Sequence, residues 1–202
     1  RAEHAYLVGC NINPKLEADL VEEGCKVTRI SAEKPFDLSY KCGEFANKNN
    51  SNPKKSLILA SSEVFADSLS MSSYSYANKV PMLLVPKDID DNMAKIINDY
   101  GAEEVLVIGG ENTISSESMA KIGKARRISG QDRYQTSRII QKDYYPDSKN
   151  SLVASGLTFA DTVAASPLAG IMKANIVLVK NTSEEVHDYH FQKIVAVGGL
   201  VK

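Results

Sequence analysis

Cysteine and histidine are scarce in this sequence, with three of each. Cys10, Cys25 and Cys42 are too few for a disulfide framework, although a bond between Cys10 and Cys25 stays open in an oxidising compartment. None of the cysteines forms a CxxC pair, and the histidines lie far from them in sequence, so no zinc site is predicted. The sequence thus argues against a fold held by cystines or by a structural metal.

The chain also lacks an excess of charge and a long apolar run. Its 24 basic and 25 acidic residues give a net charge of −1, so nucleic acid is not indicated and an anionic partner would need a local basic patch. No apolar run reaches the roughly 18 residues that span a bilayer, and the first residues lack the order of a signal peptide. A hydrophobic content of 43% is typical of a globular protein.

Nine short apolar segments, rich in β-branched residues, recur between amphipathic stretches of helical length. Segments that are apolar on both faces and separated in this way are typical of buried parallel strands with helical crossovers. Pro14 suits a first helical turn, and Gly24 and Gly101 suit left-handed helix ends. The sequence therefore predicts an α/β fold with mostly parallel sheets flanked by helices. The predicted strands are residues 5–9, 26–30, 56–60, 80–85, 104–109, 125–128, 151–155, 175–179 and 193–198.

Two stretches of the chain are copies of each other. Residues 60–85 align without a gap on residues 154–179, with 9 of 26 positions identical, and the similarity extends upstream and downstream. The segment HAYLVGC at residues 4–10 is a third copy of the closing strand. We therefore predict three parts: the closing strand and helix of a preceding module (1–24), a first complete module (25–122), and a second module that stops after its closing strand (123–202).

The strand-turn-helix at residues 154–170 is the best candidate for a catalytic nucleophile, but a scaffold role is favoured. A nucleophile elbow needs the pattern GxSxG, and Ser155 is followed by one glycine with none before it. Asp161 stands three residues after Thr158, the spacing of a capping box. The pairs Gly109-Gly110 and Gly198-Gly199 follow strands but match no phosphate-binding loop, so they indicate tight strand exits.

Residues 121–138 hold the strongest local concentration of positive charge. Guanidinium groups suit phosphate and carboxylate oxygens, so this segment is the best anion site that the sequence offers, against the alternative of a solvated face. An acidic cluster at residues 88–91 opens a predicted helix and needs no metal ion. The cations of the segment are Lys121, Lys124, Arg126, Arg127, Arg133 and Arg138.

The ordered series RISGQDRYQTS, SLVASGLTFADTVAASPLAG, NIVLV and IVAVGG closely resembles the type-two cell-wall-binding repeat of clostridial and related Gram-positive surface proteins. The resemblance implies Rossmann-like or Toprim-like α/β modules, usually three per protein, packed around a pseudo-threefold axis. Such modules hold an extracellular or S-layer protein to an anionic, teichoic-acid-like wall polysaccharide without covalent bonds. It also implies other such modules as partners, in the same or another chain, and no cofactor or metal.

The resemblance points to two groups of site residues. The first is a set of ligand-binding candidates in the element R-x-x-G-x-D-R-Y-x-T, in the element SG-F-D-SP and at neighbouring arginines: Arg29, Arg126, Arg127, Asp132, Arg133, Tyr134, Thr136, Ser155 and Asp161. The second is an apolar anchoring strand, usually written PILLV, which corresponds to Pro81, Met82, Leu83, Leu84, Ile176, Val177 and Leu178. In the first module Pro35 stands where the second has Arg133, and Asn175 replaces the usual proline.

The leading hypothesis is a non-catalytic anchor, and two alternatives remain. One is an α/β hydrolase-like or nucleotide-binding enzyme domain, and the other is a protein-interaction scaffold within a surface layer. Duplication favours the anchor over the enzyme, since an active site is seldom copied with its polar residues freely replaced in one copy. Weak contacts repeated in several modules raise retention through effective concentration.

Overall fold

The computed structural model describes residues 2–50, 55–180 and 193–198. The chain divides into two compact units, residues 1–51 and 52–202. The nine predicted strands are confirmed: β1 (His4–Val8), β2 (Lys26–Ile30), β3 (Ser56–Ser61), β4 (Met82–Val85), β5 (Glu104–Ile108), β6 (Ala125–Ile128), β7 (Asn150–Ser155), β8 (Asn175–Val179) and β9 (Lys193–Val197). The helices are α1 (Pro14–Glu22), α2 (Pro35–Lys48), α3 (Phe65–Asn78), α4 (Asp91–Asp99), α5 (Ser116–Ala120), α6 (Arg133–Tyr144) and α7 (Ala160–Met172).

Every strand pairing in the described residues is parallel, as the apolar runs predicted. The first unit holds the pair β1-β2, and the second unit holds a sheet of order β4-β3-β5-β6 and a sheet of order β8-β7-β9. The strand that opens each sequence repeat pairs with the closing strand of the repeat before it, β2 with β1 and β6 with β5. Neighbouring repeats therefore share a sheet at their boundary, and the module boundaries at residues 25 and 123 stay a prediction.

The two sequence copies have the same backbone elements. β3 and β7 are each six residues long and occupy aligned positions, and α3 and α7 end at the aligned residues Asn78 and Met172. Both helices then end on a lysine in the left-handed conformation, Lys79 with φ 55° and Lys173 with φ 50°. The repeat seen in the sequence is thus a repeat of structure.

Each sheet of the second unit has its own apolar core. In the first sheet, Ile58, Leu106 and Ile108 pack with Met71 of α3 and Ile140 of α6. In the second sheet, the core combines strand residues with the small side chains of α7, as the alanine-rich sequence of that helix predicted. Its buried members are Ala66, Leu152, Ala154, Ala165, Ala169, Ala174, Ile176 and Leu178.

Most predicted helix ends are confirmed, but the capping box is wrong. Pro14 opens α1, and Gly24 (φ +83°) and Gly101 (φ +73°) take the left-handed conformation. At α7 the cap position is Phe159, which is already near helical (φ −95°, ψ −26°) and makes no side-chain cap bond. The hydroxyl of Thr158 is buried without a hydrogen-bond partner. The helix starts one residue later than the capping-box pattern requires. Asp161 instead lies close to Gly198, at the end of β9.

The cysteines Cys10, Cys25 and Cys42 are all free thiols. The Sγ of Cys25 donates a hydrogen bond to the carbonyl oxygen of Ala2 at 3.0 Å. None of the helices among the described residues is long and apolar enough to cross a membrane.

Candidate functional site

Equivalent residues of the two copies meet across helices α3 and α7. Ser72 and its counterpart Ser166 are joined by a hydrogen bond of 2.8 Å between their hydroxyl oxygens. Phe65 and its counterpart Phe159 place their rings 5.4 Å apart, centroid to centroid, at a tilt of 57°. The ring of Tyr76 lies so close to Gly170 that a side chain at that position would overlap it. The copies are therefore packed directly against each other, and we call this contact region the repeat junction.

The arginine-rich element builds the turn that starts α6. The carboxylate of Asp132 accepts the amide of Gln135 at 2.8 Å, which caps the helix. The hydroxyl of Thr136 accepts the amide of Gly130 and donates to the carbonyl of Asp132, each at 3.0 Å. A Cβ atom on Gly130 would lie 2.7 Å from the backbone nitrogen of Thr136. Asp132 and Thr136, both predicted ligand contacts, thus hold the backbone of this turn.

Arg133 and Tyr134, which belong to the same element, contact Gly156 at the repeat junction. Nη1 of Arg133 donates to the carbonyl oxygen of Gly156 at 2.7 Å. A Cβ on Gly156 would lie 2.6 Å from Cε1 of Tyr134, so glycine is needed for the tyrosine ring to pack there. Since Gly156 follows Ser155, the two signature elements of the sequence touch each other.

A buried carboxylate lies where these elements meet. Asp67, in the first turn of α3, is 7% exposed, and its Oδ1 has no hydrogen-bond partner. A Cβ on Gly109, at the exit of β5, would lie 2.9 Å from its Oδ2. Burial raises the pKa of this carboxyl above its ordinary value, while the positive charge of Arg133 and the neighbouring Thr136 hydroxyl act in the opposite direction.

Asp161 is the counterpart of Asp67 in the second copy. It is half-buried, and its carboxylate lies so close to Gly198, at the exit of β9, that a Cβ on this glycine would overlap it. Gly198 and Gly109 both have positive φ, 103° and 108°. The pairing of an aspartate in the first helical turn with the glycine after the closing strand is therefore built twice.

The predicted arginines lie in different places. Arg127 donates from Nη1 to the carbonyl of Gly109 at 2.8 Å and from Nη2 to that of Ile114 at 2.9 Å, so it braces the loop after β5. In the first unit Arg29 donates from Nη1 to the carbonyl of Ile12, after β1, at 3.4 Å and forms an ion pair with Glu17 at 2.7 Å. Arg126 is exposed at the opposite end of β5, where it contacts Glu104 and donates to the Tyr144 hydroxyl at 2.6 Å.

The remaining predicted residues have structural surroundings. The hydroxyl of Ser155 is buried and accepts the amide of Leu157 at 3.1 Å, and Ser61 binds the amide of Glu63 in the same way. A serine in a nucleophile elbow would instead project outward.

In the proposed anchoring strands, Leu83, Ile176, Val177 and Leu178 are at most 1% exposed, and Pro81 is buried. Met82 and Leu84 are half-buried. The amide of Leu178, on the edge strand β8, donates to the hydroxyl of Ser137 at 3.1 Å. Because these side chains are buried or half-buried, the strands contribute more to the apolar core than to the surface of the protein.

Two features of the junction were missed by sequence reasoning, the buried position of Asp67 and the exposed Phe65–Phe159 pair. The sequence did contain a signal for these features, because the tripeptide F-A-D is identical in both copies. A single sequence, however, does not show which of the identical residues are in contact. Among the described residues no group of three or more metal-ligating side chains is found.

A duplicated α/β fold whose signature residues join one copy to the next is the fold of a tandem repeat protein. The chain belongs to the cell wall binding domain 2 family, whose model matches residues 29–119 and 127–201.

Three relatives share part of the sequence. N-acetylmuramoyl-L-alanine amidase LytC of Bacillus subtilis is 25% identical over 156 residues, which are 77% of this chain and 30% of the relative. The amidase enhancer of the same organism is 26% identical over 164 residues, 79% of this chain and 23% of the relative. An uncharacterized protein of Pyrococcus abyssi is 32% identical over 131 residues, 60% of this chain and 39% of the relative. The chain thus spans well under half of each relative.

Solved structures share the fold. Cwp8 from Clostridium difficile superposes with a TM-score of 0.83 at 24% identity, over 99% of this chain and 36% of that protein. Cwp6 from the same organism gives a TM-score of 0.85 at 23% identity, over 99% of this chain and 34% of that protein. The predicted cell-wall-binding family and its α/β fold are confirmed.

Proposed function

We propose that this chain is a non-catalytic anchor that holds an extracellular protein to an anionic, teichoic-acid-like wall polysaccharide. The main support for the proposal is the position of Arg133 at the repeat junction. One of its five donors is bound to Gly156, and the others have no hydrogen-bond partner among the described residues. A guanidinium group that is held in one orientation, and whose remaining N–H groups can still donate, suits a phosphate or carboxylate group.

The relatives support an anchoring task over a catalytic one. One is named an amidase and another an amidase enhancer, and this chain spans only 30% and 23% of their lengths. Because the chain matches the cell wall binding domain 2 family, we assign wall binding to the shared region and not the amidase reaction. The buried, hydrogen-bonded hydroxyl of Ser155 supports the same assignment, because it is not presented as a nucleophile.

We expect the chain to sediment with protein-free cell walls of Clostridium difficile or Bacillus subtilis, and the bound fraction to fall as NaCl rises from 50 to 500 mM, because salt screens exposed charges. Walls extracted with hydrofluoric acid, which cleaves phosphodiester-linked polymers, should retain little protein. Equal retention by extracted walls would contradict the anionic polymer as ligand, and no retention by either wall would contradict anchoring. Retention only by walls that still carry surface proteins would favour the scaffold alternative.

Arg126 offers a variant whose folding cost is small, because its ion pair with Glu104 lies on the surface. We expect Arg126→Ala to weaken retention severalfold, because the variant loses an exposed cation that suits the anionic polymer. Lys95→Ala is the matched control, since it removes one charge from another exposed pair, with Asp99 on α4. Equal binding by both variants would remove Arg126 from the proposed site.

We further propose that α7 packs against another repeat of the same kind, in the same or a second chain. In α3 the side chains Ser70 and Ser73 are completely buried, and the hydroxyl of Ser73 is hydrogen-bonded to that of Tyr145, which follows α6. The counterparts on α7, Ala164 and Pro167, are exposed. The same face is thus covered in one copy and open in the other.

The open face of α7 is apolar, with Val163, Leu168 and Ile171 between 45% and 67% exposed. We expect the chain to self-associate at high micromolar concentration and Leu168→Glu with Ile171→Glu to prevent this, without loss of stability, because both side chains are exposed in the single chain. Sedimentation velocity measures the first effect and urea unfolding the second. A chain that stays monomeric at all concentrations would contradict docking by a second chain.

A further inference from the structure

Two phenylalanine rings are exposed side by side at the repeat junction. Phe65 and Phe159 hold equivalent positions at the starts of α3 and α7, and they are 36% and 57% exposed. Their rings contact each other at 5.4 Å and a tilt of 57°, which leaves one continuous aromatic surface. We call this surface the phenylalanine pair.

The phenylalanine pair stays open when a neighbouring repeat is docked. Ser70 and Ser73 of α3 are completely buried, and Ser73 is bonded to Tyr145 after α6, yet Phe65 on the same helix remains 36% exposed. By the repeat, Phe159 would keep a comparable exposure if another copy covered the apolar face of α7. We therefore expect the phenylalanine pair to stay exposed at the surface even when another repeat is docked on α7.

A cation is held beside these rings. The guanidinium carbon of Arg133 lies 5.8 Å from the ring centroid of Phe65, within the range of a cation–π contact. The hydrogen bond from Nη1 to Gly156 fixes the orientation of this group. Two exposed aromatic rings thus adjoin a guanidinium group whose other donors have no hydrogen-bond partner among the described residues.

We propose that the phenylalanine pair stacks on a sugar ring of the wall polymer while Arg133 holds the phosphate or carboxylate of the same repeating unit. This inference rests on the anchoring function proposed above and adds the contacts that recognise the sugar. The exposed aromatic area is on the order of 200 Å², which is the scale of one or two sugar rings. It is far below the roughly 800 Å² per partner of a stable protein interface, so a protein is the less suitable occupant.

The test compares affinities for the protein-free walls described above. Phe159→Leu keeps an apolar side chain but removes the flat ring, and Phe159→Ala removes both. We expect both variants to bind walls roughly three- to tenfold more weakly than the parent chain, with the loss in Phe159→Leu nearly as large as in Phe159→Ala. Tyr6→Leu is the control, because Tyr6 is also more than half exposed, at 53%, but lies on β1 in the first unit.

The outcomes separate the two proposals. Retention of the Phe159 variants equal to that of the parent chain, or weakened no more than in Tyr6→Leu, would overturn the stacking contact and leave anchoring intact. A loss in Phe159→Ala that Phe159→Leu fully restores would also overturn it, because any apolar side chain would then serve. Failure of the parent chain itself to bind walls would instead overturn the anchoring function. Circular dichroism of each variant confirms that the fold is kept.

Discussion

Gly109→Ala is expected to destabilise the second unit by about 2–4 kcal/mol, although it adds only one methyl group. Gly109 has φ +108°, a conformation that side chains rarely adopt. Its new Cβ would also lie 2.9 Å from Oδ2 of Asp67 and 3.0 Å from the side chain of Thr113. Backbone strain and crowding therefore add, and neither can be relieved without moving α3 or the loop after β5. Urea unfolding followed by circular dichroism measures the loss.

The adjacent Gly110 provides the control for this prediction. A Cβ on Gly110 would have no atom within 4 Å, and its φ lies outside the positive range. Gly110→Ala should therefore change the free energy of unfolding by less than about 0.5 kcal/mol. Similar losses at the two positions would show that the strand exit is flexible and that Asp67 is not confined by it.

Arg133→Ala is expected to cost about 2–4 kcal/mol, because it leaves two buried groups without their partner. The carbonyl oxygen of Gly156 loses its hydrogen bond from Nη1, and Asp67 loses the positive charge that offsets the burial of its carboxylate. Arg133→Lys should recover part of the loss, since it restores the charge but not the fork that reaches Gly156. Urea unfolding of the three proteins ranks these effects.

The pH dependence of stability identifies the contribution of Asp67. Burial raises the pKa of this carboxyl above the ordinary value of 3.8, so the folded state binds a proton that the unfolded state has already released. Stability is then highest below the ordinary pKa and falls as the pH rises through the folded pKa. Asp67→Asn should remove this decline, and Arg133→Ala should extend it to higher pH, because the arginine no longer offsets the burial. Identical pH profiles for the parent chain and Asp67→Asn would contradict the role given to this carboxylate.

The capping box illustrates where local sequence rules fail. Thr158 and Asp161 have the spacing that the rule requires, yet the helix begins after Phe159 and the hydroxyl of Thr158 is buried without a partner. Asp161 instead faces Gly198, a residue 37 positions later in the chain. A spacing rule considers only the nearest turn, whereas the position of this carboxylate depends on a strand that arrives from far away in sequence.

The arginines show the same limit. Their number and clustering in residues 121–138 predicted an anion site, and the sequence offers no means to separate them. In the structure Arg127 supports the carbonyls of Gly109 and Ile114, Arg126 pairs with Glu104, and Arg133 alone of these three lies at the repeat junction. Alternation along β6 places neighbouring side chains on opposite faces, so adjacent arginines serve different parts of the molecule.

The sequence by itself determined the α/β class, the nine strands of the described residues, the duplication and the family, because hydrophobic periodicity and self-similarity are properties of residues in their order along the chain. The tertiary structure alone decided that the two signature elements touch, that Asp67 is buried beside Arg133 and Thr136, and that Phe65 and Phe159 share one exposed surface. These contacts join residues up to 94 positions apart, as in Ser72 and Ser166. Such proximity is created by the packing of α3, α6 and α7, and no local pattern encodes it.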